Sequence, residues 1–175
     1  WGKWLVWNGV RWSIDKSLYV HHLSRTVCRA ASYKADTPRL KGKLASSGTM
    51  ASIERIVRTE PRHSATVEEW DADPWLLNTP GGIIDLKRGG MGPHRRDRRM
   101  TKVTTATPKG ESPEWSKFLE NVTGGDKELQ LYLQRVVGYC LTGDISTHAL
   151  FFLYGTGANG KSVFVNVIST ILGDY

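Results

Sequence analysis

The stretch from Leu150 to Leu172, LFFLYGTGANGKSVFVNVISTIL, constrains the fold of this chain more than any other. Leu150-Phe151-Phe152-Leu153-Tyr154 has the length and composition of a buried strand. Gly155 to Ser162 then fits the pattern G-x-x-x-x-G-K-[ST], and Phe164, Val167, Ile168 and Ile171 recur at helical spacing up to Gly173. Strand, glycine-rich loop and helix follow one another in the order that a phosphate-binding P-loop requires.

Each loop position has a chemical reason. Gly155, Gly157 and Gly160 permit backbone conformations and close approaches that a side chain would bar. Thr156, Ala158 and Asn159 complete the loop, whose N–H groups join the helix N-terminus in directing partial positive charge at an anion. Lys161 is the candidate catalytic cation, reaching the β- and γ-phosphates of ATP, and the Ser162 hydroxyl is the candidate Mg2+ ligand. At average residue frequencies the pattern arises by chance in about one chain of this length in a hundred, before a flanking strand and helix are required.

Charge points to a second function. Hydrophobic residues make up 39% of the 175 and charged residues 23%, a globular and not a disordered balance. Lys87 to Lys102 carries seven basic residues (Lys87, Arg88, Arg95, Arg96, Arg98, Arg99 and Lys102) against Asp97 alone, nearly the whole net charge of +7. Its glycines and Pro93 predict an exposed loop between strands. Arg95, Arg96, Arg98 and Arg99 are candidate contacts to a nucleic-acid backbone, the alternative being a solvated charged surface.

Other classes find less support. Cys28 and Cys140 have no metal-binding or redox spacing, and both are expected to be small core residues in a reducing compartment. The five histidines form no zinc pattern, and no apolar run has the length of a membrane span. The start on Trp1 and the stop at Tyr175 lead to the expectation of a piece of a longer protein.

Along the chain, Trp4-Leu5-Val6-Trp7 and Val10-Arg11-Trp12 flank Asn8-Gly9, a hairpin signal. Asp15 is placed to cap a helix with the stripe Val20, Leu23, Val27, Ala30 and Ala31, which Thr37-Pro38 ends. No element is predicted over 39–48; Met50, Ile53, Ile56 and Val57 predict a short helix, and 62–73 a loop. Trp75 to Asn78 and Ile83 to Leu86 read as a hairpin about Pro80-Gly81-Gly82, with 100–107 a further β-prone segment. Ser112-Pro113 and Asp126 cap two helices, with faces Trp115, Phe118, Leu119, Val122 and Leu129, Tyr132, Leu133, Val136, Val137, Cys140; Gly143 is placed to close the second, and their short link favours antiparallel packing. The fold class expected is α+β. A mostly helical domain with small hairpins spans 1–147, and the first strand, P-loop and helix of an α/β AAA+-like NTPase sheet span 148–175.

The series Trp75-Leu76-Leu77-Asn78, Gly82-Ile83-Ile84-Asp85-Leu86, Pro93-His94, Trp115, Phe118-Leu119, Leu131 to Arg135, Gly138-Tyr139, Leu141 to Asp144 and Gly155 to Ser162 resembles the phage and plasmid primase–helicases. In these a poxvirus-type N-terminal helicase domain precedes a superfamily 3 helicase core. The resemblance implies an ATP-hydrolysing DNA helicase acting in replication of phage, plasmid or integrated-element DNA in the bacterial cytoplasm. It also implies single-stranded or forked DNA as partner, a homo-hexameric assembly, and a primase domain in the same or a partner chain. By the same resemblance, Gly155, Gly157, Gly160, Lys161 and Ser162 form the ATP and Mg2+ site. Too few residues follow Ser162 for the acidic strand and arginine finger, so no useful turnover of ATP is expected from 1–175 alone. A P-loop kinase or other NTPase, and a non-catalytic DNA-binding or oligomerisation module, remain the competing readings.

Overall fold

The structure, a computed structural model, describes residues 2–175. The chain divides into two compact units: one takes the residues up to Asn8 and Trp12–Trp70, the other Gly9–Arg11 and Asp71–Tyr175. The expected boundary near Thr147 falls inside the second unit. Six α-helices and two small antiparallel sheets among the described residues make the fold α+β.

The first unit opens with a two-stranded ladder, β1 (Leu5–Trp7) against β2 (Trp12–Ile14), in which Trp7 faces Trp12. The connection is the four residues Asn8 to Arg11 instead of a two-residue Asn-Gly turn, so Val10 and Arg11 leave the ladder. Trp12 also meets Trp70 edge-on at 5.7 Å, so the aromatic pairs pack against protein. Helix α1 (Tyr19–Lys34) begins where Asp15 accepts hydrogen bonds from the backbone of Val20 and Ser17, reaching past Leu18 in a left-handed conformation. The buried face of α1 is Ser24 and Cys28, and the expected stripe is rotated: Leu23 and Val27 are exposed. Ser24 reaches the interior because its hydroxyl donates to the Val20 carbonyl within the helix. Helix α2 (Pro38–Leu44), over residues for which the sequence predicts no element, is started by Thr37, whose hydroxyl accepts from Leu40 N–H. Ser46 does the same for Thr49 at the start of α3 (Ser47–Val57). Helices α1, α2 and α3 pack on one another, and 3-10 turns occupy Pro61–His63 and Val67–Glu69.

The second unit is built on β3 (Leu76–Thr79), β4 (Gly82–Asp85) and β5 (Gly90–Gly92), consecutive and antiparallel. The expected hairpin about Pro80-Gly81 is present, with β5 as a third strand drawn from the basic segment. Leu77, Ile83 and Met100 are its buried apolar side chains. Asn78 is fully buried: its amide donates to the carbonyls of Val10 and Lys102, and its backbone N–H to the Tyr175 hydroxyl. Segment 100–107 forms no strand; it is held by Thr104 N–H on the Asn78 carbonyl and by the Asp71 carboxylate, which accepts from Thr101. His94 Nε2–H donates to the Thr79 carbonyl at 2.8 Å, which makes that histidine structural.

Helices α4 (Pro113–Val122), α5 (Lys127–Cys140) and α6 (Lys161–Leu172) complete the unit. Asp126 caps α5 by accepting from Leu129 N–H, whereas Ser112 supplies no side-chain cap to α4. Glu120 of α4 accepts from Lys127 and Gln130 of α5. The aromatic face of α4 turns to α6 instead, with Trp115 stacked on Phe164 at 5.7 Å. Two expectations about α5 change. Cys140 is exposed although Cys28 is buried, and α5 ends at Cys140, while Gly143 serves close approach to Pro74, whose carbonyl accepts its N–H.

Candidate functional site: the glycine loop before the last helix

The loop expected to hold phosphate runs from Gly155 into α6. Gly160, at φ 81°, is the N-cap residue of α6, and among the described residues no side chain caps this end of the helix. The first-turn N–H groups therefore present their partial positive charge to the hollow of the loop. Gly155 also has positive φ (148°), as does Ala158 (58°), an uncommon conformation for a residue with a Cβ. Gly157 does not, and no described atom lies within 4 Å of where its Cβ would stand, so neither its own conformation nor a protein neighbour requires a glycine there.

Gly160 is required by packing as much as by conformation. A Cβ there would lie 2.5 Å from Val122 Cγ1 and 3.2 Å from the Phe118 ring. The loop is thus seated on α4, and Trp115, Phe118 and Phe164 form the apolar support below it. At the other end of α6, Thr105 N–H donates to the Ile171 carbonyl and Asp174 N–H to that of Val103. Leu172 is half-buried and Ile171 is 41% exposed, so the inward stripe of α6 ends one residue later than its spacing predicts.

The Lys161 ammonium bends back over the loop, donating to the Asn159 side-chain oxygen at 2.6 Å, the Gly155 carbonyl at 3.1 Å and the Thr156 carbonyl at 3.4 Å. Ser162 is exposed on the first turn of α6, next to Lys161. Gly155 to Gly160 thus form the loop, and Lys161 and Ser162 open α6 directly behind it.

The strand expected before the loop is not formed. Leu150 to Tyr154 pairs with no strand among the described residues, and its exposure alternates: Leu150 92%, Phe152 81% and Tyr154 82%, against Phe151 36% and Leu153 42%. A ladder needs a neighbouring edge, and β3, β4 and β5 form a separate antiparallel sheet. Phe151 instead meets the edge of the Tyr139 ring of α5.

The basic segment is only partly a loop, since β5 and a 3-10 turn at Arg96–Arg98 lie within it. Arg95 donates two hydrogen bonds to Asp97, which raise the arginine's pKa and hold the carboxylate below its usual value. Arg88 stands 3.8 Å from Asp85. The positive charge on this face is therefore partly compensated by its own acids. Among the described residues, no cluster of three or more His, Cys, Asp or Glu could hold a metal ion, and no helix is long and apolar enough to cross a membrane.

The sequence profile of the family described as "D5 N terminal like" matches residues 1–124. The chain belongs to this family. The match takes in the first unit, the β3–β4–β5 sheet and α4, and stops before α5 and the glycine loop. A mimivirus protein of Acanthamoeba polyphaga, "Putative helicase L207/L206", is 27% identical over 110 residues, 59% of this chain. The chain covers 11% of that protein's length.

Proposed function

We propose that this chain is part of an ATP-dependent DNA helicase, of the primase–helicase kind, whose phosphate cradle is Gly155 to Ser162. One observation carries the nucleotide part. The N-terminus of α6, uncapped by any described side chain and preceded by two glycines of positive φ, stands beside a lysine ammonium and a serine hydroxyl. These groups fit ATP: the loop and helix N–H groups would take phosphate oxygens, Lys161 the β- and γ-phosphates, and Ser162 a Mg2+ ion. Bound ATP supplies the phosphoryl bond whose hydrolysis drives motion, while the loop orients it and neutralises its charge.

The family match supplies the other part. Residues 1–124 belong to a family of helicase N-terminal regions, so DNA in single-stranded or forked form is the partner that fits the basic face. We assign 1–147 to linking and assembly and 148–175 to the start of the superfamily 3 motor, working as a homo-hexamer with a primase. Because the family match ends before the glycine loop, a DNA-binding or assembly module without nucleotide chemistry is the second reading.

Calorimetric titration with Mg-ATP separates the two. Micromolar to low-millimolar binding that Lys161→Ala weakens at least about tenfold, a loss of about 1.4 kcal/mol, supports the helicase reading. Equal binding by both proteins, or none by either, removes the nucleotide site.

A further inference from the structure

The hydrogen bonds of Lys161 carry a consequence for how the proposed cradle takes a nucleotide. An ammonium has three N–H donors. Here three loop oxygens lie within reach: Asn159 Oδ1 at 2.6 Å, Gly155 O at 3.1 Å and Thr156 O at 3.4 Å. With all three engaged, no donor is left for a phosphate oxygen. A phosphoryl group drawing on this ammonium must therefore displace at least one of them.

The three acceptors are not equivalent. Two are backbone carbonyls fixed by the loop's own path. The third is a side chain, the shortest of the three contacts, and it lies across the loop against Gly155. A Cβ on Gly155 would clash with Asn159 Nδ2, so the missing side chain is what gives the amide its place. The amide can leave by rotating about its own side-chain bonds, at little cost to the backbone.

We infer that Asn159 is a latch on Lys161: its side-chain oxygen holds the ammonium over the loop carbonyls, and nucleotide polyphosphate binds by releasing that contact. Asn159 is a positioning residue, acting through the lysine. The inference rests on the phosphate-cradle reading of Gly155 to Ser162. It concerns the β- and γ-phosphates, where Lys161 would act, and leaves the base and sugar aside.

The test is a double-mutant cycle on the whole chain, with Asn159→Ala, Lys161→Ala and both together, titrated with Mg-ATP, inorganic pyrophosphate and AMP. Removing one hydrogen bond to an exposed cation is expected to tighten Mg-ATP and pyrophosphate by roughly three- to tenfold in Asn159→Ala. AMP affinity stays unchanged, and the gain disappears when Lys161 is already alanine. Unchanged or weaker Mg-ATP binding in Asn159→Ala, with wild type binding normally, overturns the latch and leaves the cradle standing. A gain that persists without Lys161, or that AMP shares equally, also overturns it, since the loop would then be opening by another route. Failure of wild type and Asn159→Ala alike to bind polyphosphate overturns the cradle and the latch together. Matching circular dichroism and melting of the variants keeps the comparison on binding.

Discussion

Asn78 shows how much of this molecule hangs on single polar side chains. Its amide NH2 satisfies two carbonyls, Val10 and Lys102, while its Oδ1 has no partner among the described residues. A carboxylate of the same shape has no N–H to give, so Asn78→Asp leaves two acceptors unpaired and adds a buried charge. The expected loss is about 3 kcal/mol or more of stability, measurable by urea unfolding, and Asn78→Ala should cost less. Two loop glycines make an opposite pair. Gly160→Ala forces a Cβ against Val122 and Phe118 and should cost about 1–3 kcal/mol even without nucleotide. Gly157→Ala meets open space and should stay within about 0.5 kcal/mol. Thermal unfolding of the two variants reads the difference. The spacing of residues names both as loop glycines; only the packing of α4 under the loop separates them.

At the scale of elements, the contact between the residue before β1 and α3 illustrates what periodicity cannot supply. Glu54 Oε1 accepts from Trp4 Nε1 at 2.5 Å and from Arg58 Nε at 2.8 Å, and the Arg58 guanidinium lies 5.2 Å from the centre of the Trp4 ring. Hydrogen bonds from Arg58 and then Trp4 lower the Glu54 pKa below its usual 4.5. A carboxyl whose folded pKa is depressed contributes stability above its unfolded pKa and loses it as pH falls through the folded value. The melting temperature should therefore fall more steeply between about pH 5 and pH 3 in the wild type than in Glu54→Gln, which has no such proton to take up. Parallel curves for the two proteins would discount the contact. Local signals found most helices well: Asp126 and the stripe of α6 are short-range chemistry. They missed α2, which has only a capping threonine and a proline to announce it, and β5, whose Gly-Met-Gly is a strand only because β4 offers an edge. They also misplaced the buried face of α1, where packing against α2 and α3 chose Ser24 and Cys28 over Leu23 and Val27.

Over the whole molecule, charge is the property that bears on a partner. The net +7 is concentrated between Lys87 and Lys102, yet Asp97 and Asp85 answer part of it. Binding of labelled single-stranded DNA should weaken steeply with salt. Replacing Arg95, Arg96, Arg98 and Arg99 by glutamine should flatten the slope of log affinity against log salt by up to about 3, at about 0.7 for each phosphate no longer neutralised. Arg95 is already paired with Asp97, so part of its charge is answered before any phosphate arrives. An unchanged slope in the fourfold variant would make this face a solvated surface.

Sequence alone determined the chemistry available: a glycine loop ending in Lys161-Ser162, a helix behind it, a basic segment, and an α+β pattern of capped helices and hairpins. These follow from residue type at short spacing, which backbone sterics and hydrogen-bond donors translate directly into local form. Tertiary structure decided what that chemistry faces. It seated Gly160 on α4, folded Lys161 onto Asn159, exposed Cys140, and left Leu150 to Tyr154 outside any sheet among the described residues. Each of these depends on a neighbour distant in the chain or on which conformation a long side chain selects. A strand exists only with a partner edge, and a cation's readiness for phosphate depends on which oxygens already hold it.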